Sequence, residues 1–195
     1  MIPAKGKETF DIRKASMFDI SDLLVLINSH AAKGIMLPRT EFEMAENVRD
    51  FSVIQSQGRL IGCGALHFYT PHAAEVRSLA IDPGFQGAGA GRALVLALIE
   101  EAQAFQVKDV FAFTYVPDFF RKLGFLEIER GDLPLKAWKD CLRCPKFQCC
   151  DEIAVVKHLQ MDGMGVDDTL TRVQRERAIN PPNPEIAFPI LNKVR

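Results

Sequence analysis

Residues 80–102 read AIDPGFQGAGAGRALVLALIEEA, setting an apolar run, a proline stop, a cluster of glycines and a long helical periodicity back to back. Three glycines, Gly87, Gly89 and Gly91, fall within five residues. A glycine inside a helix or strand costs roughly 0.5–1 kcal/mol against alanine, so this corner is tolerable only where bare backbone is needed. The strand halts at Asp82-Pro83-Gly84 and the helix runs from Gly91 to Phe105, so the glycines sit at a helix N-terminus. There, unpaired N–H groups and the positive end of the helix dipole form an anion site.

Glycine also lets such backbone approach a bulky phosphate without a Cβ in the way. Gln86, Gly87, Ala88, Gly89, Gly91 and Arg92 therefore read as a phosphate cradle, with Arg92 adding a guanidinium. Spacing narrows which cradle it is. A mononucleotide P-loop requires G-x-x-x-x-G-K-[ST], and no Lys-Ser or Lys-Thr follows here. A dinucleotide fingerprint requires G-x-G-x-x-G, whereas these glycines alternate and Arg92 stands where the third would fall. The order present is Gln86-x-x-Gly89-x-Gly91-Arg92.

The rest of the chain supplies strands and helices around that corner. TFDIRKA (9–15) alternates as a first strand, and Ile20, Leu23, Leu24 and Ile27 give a helix ending at Gly34. Thr40 and Glu43 form a capping-box pattern for a second, short helix. FSVIQ and LIGCGALHFY flank a turn at Gly58 and predict an antiparallel hairpin. Further strands are predicted at AEVRSLAI, VFAFTYV, GFLEIER and DEIAVVKHL, the last closing the sheet, with a short helix starting at Pro117. Helices alternate with strands while hairpins also occur, so the class is α/β with a mixed, mostly antiparallel sheet flanked by helices. We expect one domain over residues 1–160, with a cysteine-rich loop at 141–150. The apolar IAFPIL in the tail at 161–195 suggests packing on the body or on a second subunit, as in a homodimer.

A net charge of −1 gives no global positive field to recruit nucleic acid or an anionic membrane surface. No apolar run approaches the roughly 20 residues of a membrane span, and the N-terminus lacks the apolar core of a secretory signal. A cytoplasmic protein is expected. Five cysteines, four of them at Cys141, Cys144, Cys149 and Cys150, look unlike a secreted disulfide framework. A structural zinc site, redox thiols and plain buried or free cysteines all remain open there, and no metal ligand is assigned. His30, His67, His72 and His158 form no spaced ligand set and read as surface or strand histidines.

The loop Gln86-x-x-Gly89-x-Gly91, the strand EVRSLAI before it and FFRKLGF (119–125) after it resemble the GNAT superfamily of acyl-CoA-dependent N-acetyltransferases, over about residues 9–159. The resemblance implies that the N–H groups of Gly87, Gly89, Gly91 and Arg92 hold the pyrophosphate of acetyl-CoA. It also implies that the backbone of Leu79 and Ile81 pairs with the pantetheine arm. GIMLPRTEFEMAENVRDFSVIQSQGRLIGCGAL and AEVRSLAI are similar to the acetyltransferase domain of amino-acid N-acetyltransferases, which acetylate glutamate at the start of arginine biosynthesis. CLRCPKFQCCDE resembles a stretch of their stand-alone short forms. The resemblance does not reach the kinase-like domain of the long forms, so arginine regulation is not expected to carry over.

Acetylating an α-amine requires a base, because the amine arrives protonated, and a carboxylate serves directly or through one water. Period-two alternation along AEVRSLAI puts Glu75, Arg77, Leu79 and Ile81 on one face. Glu75 is the predicted base, supported by the resemblance; the competing reading is a surface Glu75–Arg77 pair on an edge strand. The tyrosine acid of many superfamily members is replaced by Phe119 and Phe120, leaving Tyr115, Thr114 or water as proton donor to the thiolate, with Tyr115 as ordinary core the competing reading. Arg39 and Arg77 are the predicted holders of a dicarboxylic acceptor, with Lys146 a further candidate. The expected function is acetyl transfer from acetyl-CoA to an amino acid, most plausibly L-glutamate, by direct attack in a ternary complex. Acetylation of another small amine, and a non-catalytic acetyl-CoA sensor, are the alternatives.

Overall fold

The chain runs through strand β1 (Asp11–Lys14), helices α1 (Ile20–Ala31) and α2 (Glu41–Asn47), and strands β2 (Phe51–Ser56), β3 (Arg59–Phe68) and β4 (Ala73–Ile81). Helix α3 (Ala90–Ala104), strand β5 (Asp109–Thr114), helix α4 (Pro117–Arg121) and strands β6 (Leu126–Ile128) and β7 (Ile153–His158) follow. This computed structural model describes residues 9–133, 142, 144 and 146–159. The expected tail at 161–195 lies outside the described residues.

Local chemistry explains the element ends. Thr40 and Glu43 cap α2 reciprocally, the Glu43 N–H donating to Thr40 Oγ1 at 3.2 Å and the Thr40 N–H to Glu43 Oε2 at 3.0 Å. Between β2 and β3, Gln57 and Gly58 both take left-handed backbone (φ 52° and 76°), the twist a tight hairpin turn requires. Ser16 and Asp19 hold the entry to α1, where the Asp19 carboxylate accepts from the Ser16 N–H and from both terminal guanidinium nitrogens of Arg13, Nη1 and Nη2.

The strands form one sheet ordered β1-β2-β3-β4-β5-β7-β6. Only β4 and β5 run parallel; every other neighbouring pair is antiparallel. Strand β7 does not close the sheet at its margin but inserts between β5 and β6, leaving β6 on the edge. On one face, Val95, Leu98 and Ile99 of α3 pack on Leu66, Val76 and Val110. On the other, Leu23, Ile27 and Met44 of α1 and α2 cover Val53, Cys63, Ala65 and Ala80. Among the described residues, no helix is long and apolar enough to cross a membrane.

One expectation fails inside β4. The register with β3 slips between Cys63 and Ala65, and Ser78 opposite adopts left-handed backbone at φ 52°. Such a bulge inserts an extra residue and reverses which side chains face which way. Leu79 packs with the α3-side core, as Val76 does, and Ile81 joins the Leu94 cluster on that side. Arg77 instead reaches Asn47 and Asp50 at the end of α2. Glu75, Arg77, Leu79 and Ile81 therefore do not share one face, because the bulge breaks a period of two that sequence alternation takes as unbroken.

Candidate functional site

Strands β4 and β5 are paired over Ala73–Glu75 and Asp109–Phe111 only. Beyond Glu75 they part, and β4 runs on to Ile81 with no ladder partner in β5. A short parallel ladder that splays must open a gap in the sheet, and here it opens a cleft of about 880 Å³.

The glycine corner forms one wall. Leu79, Ile81, Gln86, Gly87, Gly89, Gly91 and Arg92 all line the cleft. Gly87 and Gly89 adopt φ of 80° and 93°, so glycine there is a backbone requirement, and a Cβ on either would meet nothing within 4 Å. The space around them is open enough for a bulky anion. Gly91 has ordinary φ, and a Cβ there would make only van der Waals contact, 3.6 Å from Ile81 and Phe119. Gly89 is also the N-cap of the 15-residue α3 and brings no side-chain acceptor to its first turn. Asp82 squares the turn, accepting from the Gly84 N–H at 2.9 Å, while the Gln86 amide donates to the Ile81 carbonyl at 3.3 Å. Ala88 stands apart from the rest of the predicted cradle: it is exposed and is not among the residues lining the cleft.

Glu75 lies at the fork of the two strands, 8% exposed, and lines the cleft. Burial in an interior strand removes the reading of a surface pair on a sheet edge. Its Oε2 accepts from the Tyr69 hydroxyl at 2.9 Å. Arg77, also lining the cleft, donates to Asn47 Oδ1 at 3.4 Å and lies 3.6 Å from Asp50 Oδ2. Asp50 also binds His67 Nδ1 at 2.5 Å. Arg39 reaches the same cleft from the loop before α2, its backbone clamped by the Asn28 amide, which accepts from the Arg39 N–H at 2.9 Å and donates to its carbonyl at 3.0 Å.

The opposite wall is made of side chains. Tyr115, just past β5, accepts from Lys146 Nζ at 3.2 Å, and the ammonium also sits 4.8 Å from the ring centroid. Partial burial raises the Tyr115 phenol above its usual range, outweighing the Lys146 hydrogen bond, which lowers it. The phenol therefore keeps its proton at neutral pH. Lys146 is raised chiefly by its bond to Tyr115 and pairs with Asp151 at 3.4 Å. Burial also raises Glu152, against the lowering charge of Arg130. Arg130 donates to the carbonyls of Cys150 and Glu152, holding this segment beside the cleft.

Among the described residues, no group of three or more His, Cys, Asp and Glu is placed to hold a metal ion. Cys141 lies outside the described residues; Cys144 and Cys150 line the cleft and Cys149 is exposed. His30 is a buried helix histidine, neither surface nor strand, bonded through Nδ1 to the Leu26 carbonyl at 3.0 Å. Tyr69, Asp50, Arg130 and Glu152 were not marked by spacing, because each reaches the site through folding across the sheet.

The acetyltransferase (GNAT) family model matches residues 21–125. An uncharacterized N-acetyltransferase of Chlorobaculum tepidum is 42% identical over 76% of this chain and 96% of its own length. An amino-acid acetyltransferase of Mycobacterium tuberculosis is 35% identical over 68% of this chain and 77% of its own. Among solved structures, N-acetylglutamate synthase from Neisseria gonorrhoeae, complexed with coenzyme A and N-acetyl-glutamate, has a TM-score of 0.72 and 26% identity, covering 78% of this chain and 36% of that one. A Mycobacterium tuberculosis protein complexed with CoA and NLQ has a TM-score of 0.67 and 27% identity, covering 77% of this chain and 99% of that one.

Proposed function

The chain belongs to the GNAT acetyltransferase family and is an amino-acid N-acetyltransferase that uses acetyl-CoA, and from that premise we propose that it acetylates the α-amine of L-glutamate. The observation that carries the reading is the buried carboxylate of Glu75 at the fork of β4 and β5, in one cleft with the glycine corner and with Arg39 and Arg77.

In this reading acetyl-CoA supplies the activated acetyl group. The N–H groups of Gly87, Gly89, Gly91 and Arg92 receive its pyrophosphate at the α3 N-terminus. The backbone of Leu79 and Ile81, on the stretch of β4 that β5 leaves unpaired, takes the pantetheine arm as an added strand would. Glu75 removes a proton from the acceptor's ammonium, directly or through water, and the freed amine attacks the acetyl carbonyl directly in a ternary complex. Tyr115, protonated at neutral pH, donates to the departing thiolate. Arg39 and Arg77 receive the acceptor's carboxylates.

Glu75→Gln tests the reading: kcat should fall roughly 10²- to 10⁴-fold while acetyl-CoA affinity stays within about twofold. Retention of wild-type turnover would overturn Glu75 as the base. A cytoplasmic location belongs to the same reading and rests on the proposed amino-acid acetylation, and a homodimer rests on the apolar IAFPIL sequence of the tail; a monomer in sedimentation would remove the dimer alone.

A further inference from the structure

Glu75 is held from behind by a residue that does not line the cleft. Tyr69, one residue past the end of β3, donates its hydroxyl to Glu75 Oε2 at 2.9 Å. Its ring is packed on two sides, edge-on to His67 at 4.8 Å between centroids and tilted against Phe111 at 5.7 Å. The sheet register places both neighbours, since His67 on β3 and Phe111 on β5 are the direct partners of Glu75. His67 is anchored in turn, its Nδ1 lying 2.5 Å from Asp50 Oδ2, and the same oxygen lies 3.6 Å from Arg77 Nη2. A continuous set of contacts thus leaves the cleft at Glu75 and returns to it at Arg77.

A hydroxyl bonded to an ionised carboxylate fixes its orientation and favours the charged, proton-accepting form. Orientation matters because a base misplaced by about 1 Å can cost on the order of 10²-fold in rate. We propose that Tyr69, braced by His67 and Asp50, is the positioning residue of the catalytic base. The inference rests on the reading of Glu75 as that base. Among the described residues, the titratable and charged groups around Glu75 include His67 and Tyr69 from the β3 side, Arg77 on β4 and Asp50 before β2. Tyr115, Arg130, Lys146 and Glu152 stand on the same cleft, and β5 contributes the uncharged Phe111.

The test is the pH profile of kcat/KM for the acceptor in the full chain carrying Tyr69→Phe, which keeps the ring and removes one oxygen. The acid limb should move up by roughly one pH unit, with about a tenfold loss of rate below it, while KM for acetyl-CoA is unchanged. A lowered melting temperature or a raised KM with the limb in place would mean a structural role only, and would overturn the proposal. Asp50→Asn loosens the brace, leaves Tyr69 intact and removes a negative charge that by itself would lower the limb. A limb that still moves up, by less than in Tyr69→Phe, supports the brace, and an unmoved or lowered limb overturns it even if Tyr69→Phe fails to fold. Glu75→Gln run in parallel separates the two claims. If it abolishes turnover while Tyr69→Phe leaves the limb alone, only the Tyr69 proposal falls; if it keeps full turnover, both fall.

Discussion

The two walls of the cleft are built on different principles. The glycine wall is one unbroken run of chain, from β4 through the glycine turn into α3, and it presents backbone. The facing wall gathers Tyr115, Arg130, Lys146 and Glu152 from segments separated in sequence, and it presents side chains. A contiguous backbone wall depends on φ values and tolerates side-chain change except where φ is positive. A gathered side-chain wall depends on pairings, each replaceable at modest cost. Under the proposed function, donor binding should therefore be sensitive to a few glycines, while substitutions on the facing wall should have graded effects.

Of the two walls, the backbone wall carries the larger expected effect. Gly89→Val forces a β-branched residue into φ 93°, and acetyl-CoA affinity by calorimetry should fall roughly 30- to 100-fold, with the fold intact. Gly91→Ala, at ordinary φ with a Cβ contact no closer than 3.6 Å, should change affinity less than about threefold. Equal losses at both positions would break the argument that φ, and not mere absence of a side chain, makes this wall.

The side-chain wall should respond more weakly. Lys146→Met is expected to raise acceptor KM by about fivefold and to leave acetyl-CoA affinity unchanged. Because Lys146 lowers a phenol that burial raises, its removal should push the Tyr115 titration higher still, read as phenolate absorbance in a chain with two tyrosines. The raised phenol also has a stability consequence. The native state holds that proton more tightly than the unfolded chain, so its contribution is complete below the unfolded value near 10 and is lost as pH rises through the native one. A Lys146→Met phenol titrating lower than wild type would contradict the pairing.

The smallest effect on catalysis should come from a control remote from both walls. The Arg13 hydrogen bonds hold the Asp19 carboxyl well below the usual carboxylate range. This contribution is present above the unfolded value near 3.9 and lost as pH falls through the native one. Asp19→Ala should cost about 1–2 kcal/mol in denaturant melts, allowing for the exposure of Arg13, and leave kcat within about twofold. A large loss of activity would couple the start of α1 to the cleft, which its far end lines at His30 and Ala31.

The same contrast explains what could be read from the chain alone. Gln86, Gly87, Gly89, Gly91 and Arg92 are neighbours in sequence, so spacing sufficed to place them together. The capping box at Thr40 and the turn at Gly58 were legible for the same local reason. The bulge at Ser78 was not, since a serine in left-handed backbone carries no sequence mark and is forced by pairing with β3. Nor was the insertion of β7 between β5 and β6, which depends on long-range pairing. Glu75 was reached through resemblance and its place in β4, whereas its partner Tyr69 emerges only when β3 is laid beside β4. Cys63 is wholly buried in the core beneath α1 and α2, and that burial pushes its thiol up to about 12.

The most direct measurement is thiol release from acetyl-CoA with glutamate, glutamine and aspartate compared side by side over the other amino acids. Turnover selective for glutamate, reduced in Arg39→Ala and Arg77→Ala with acetyl-CoA affinity preserved, is the predicted result. Efficient turnover with an amine lacking a second carboxylate, indifferent to both arginines, would contradict it.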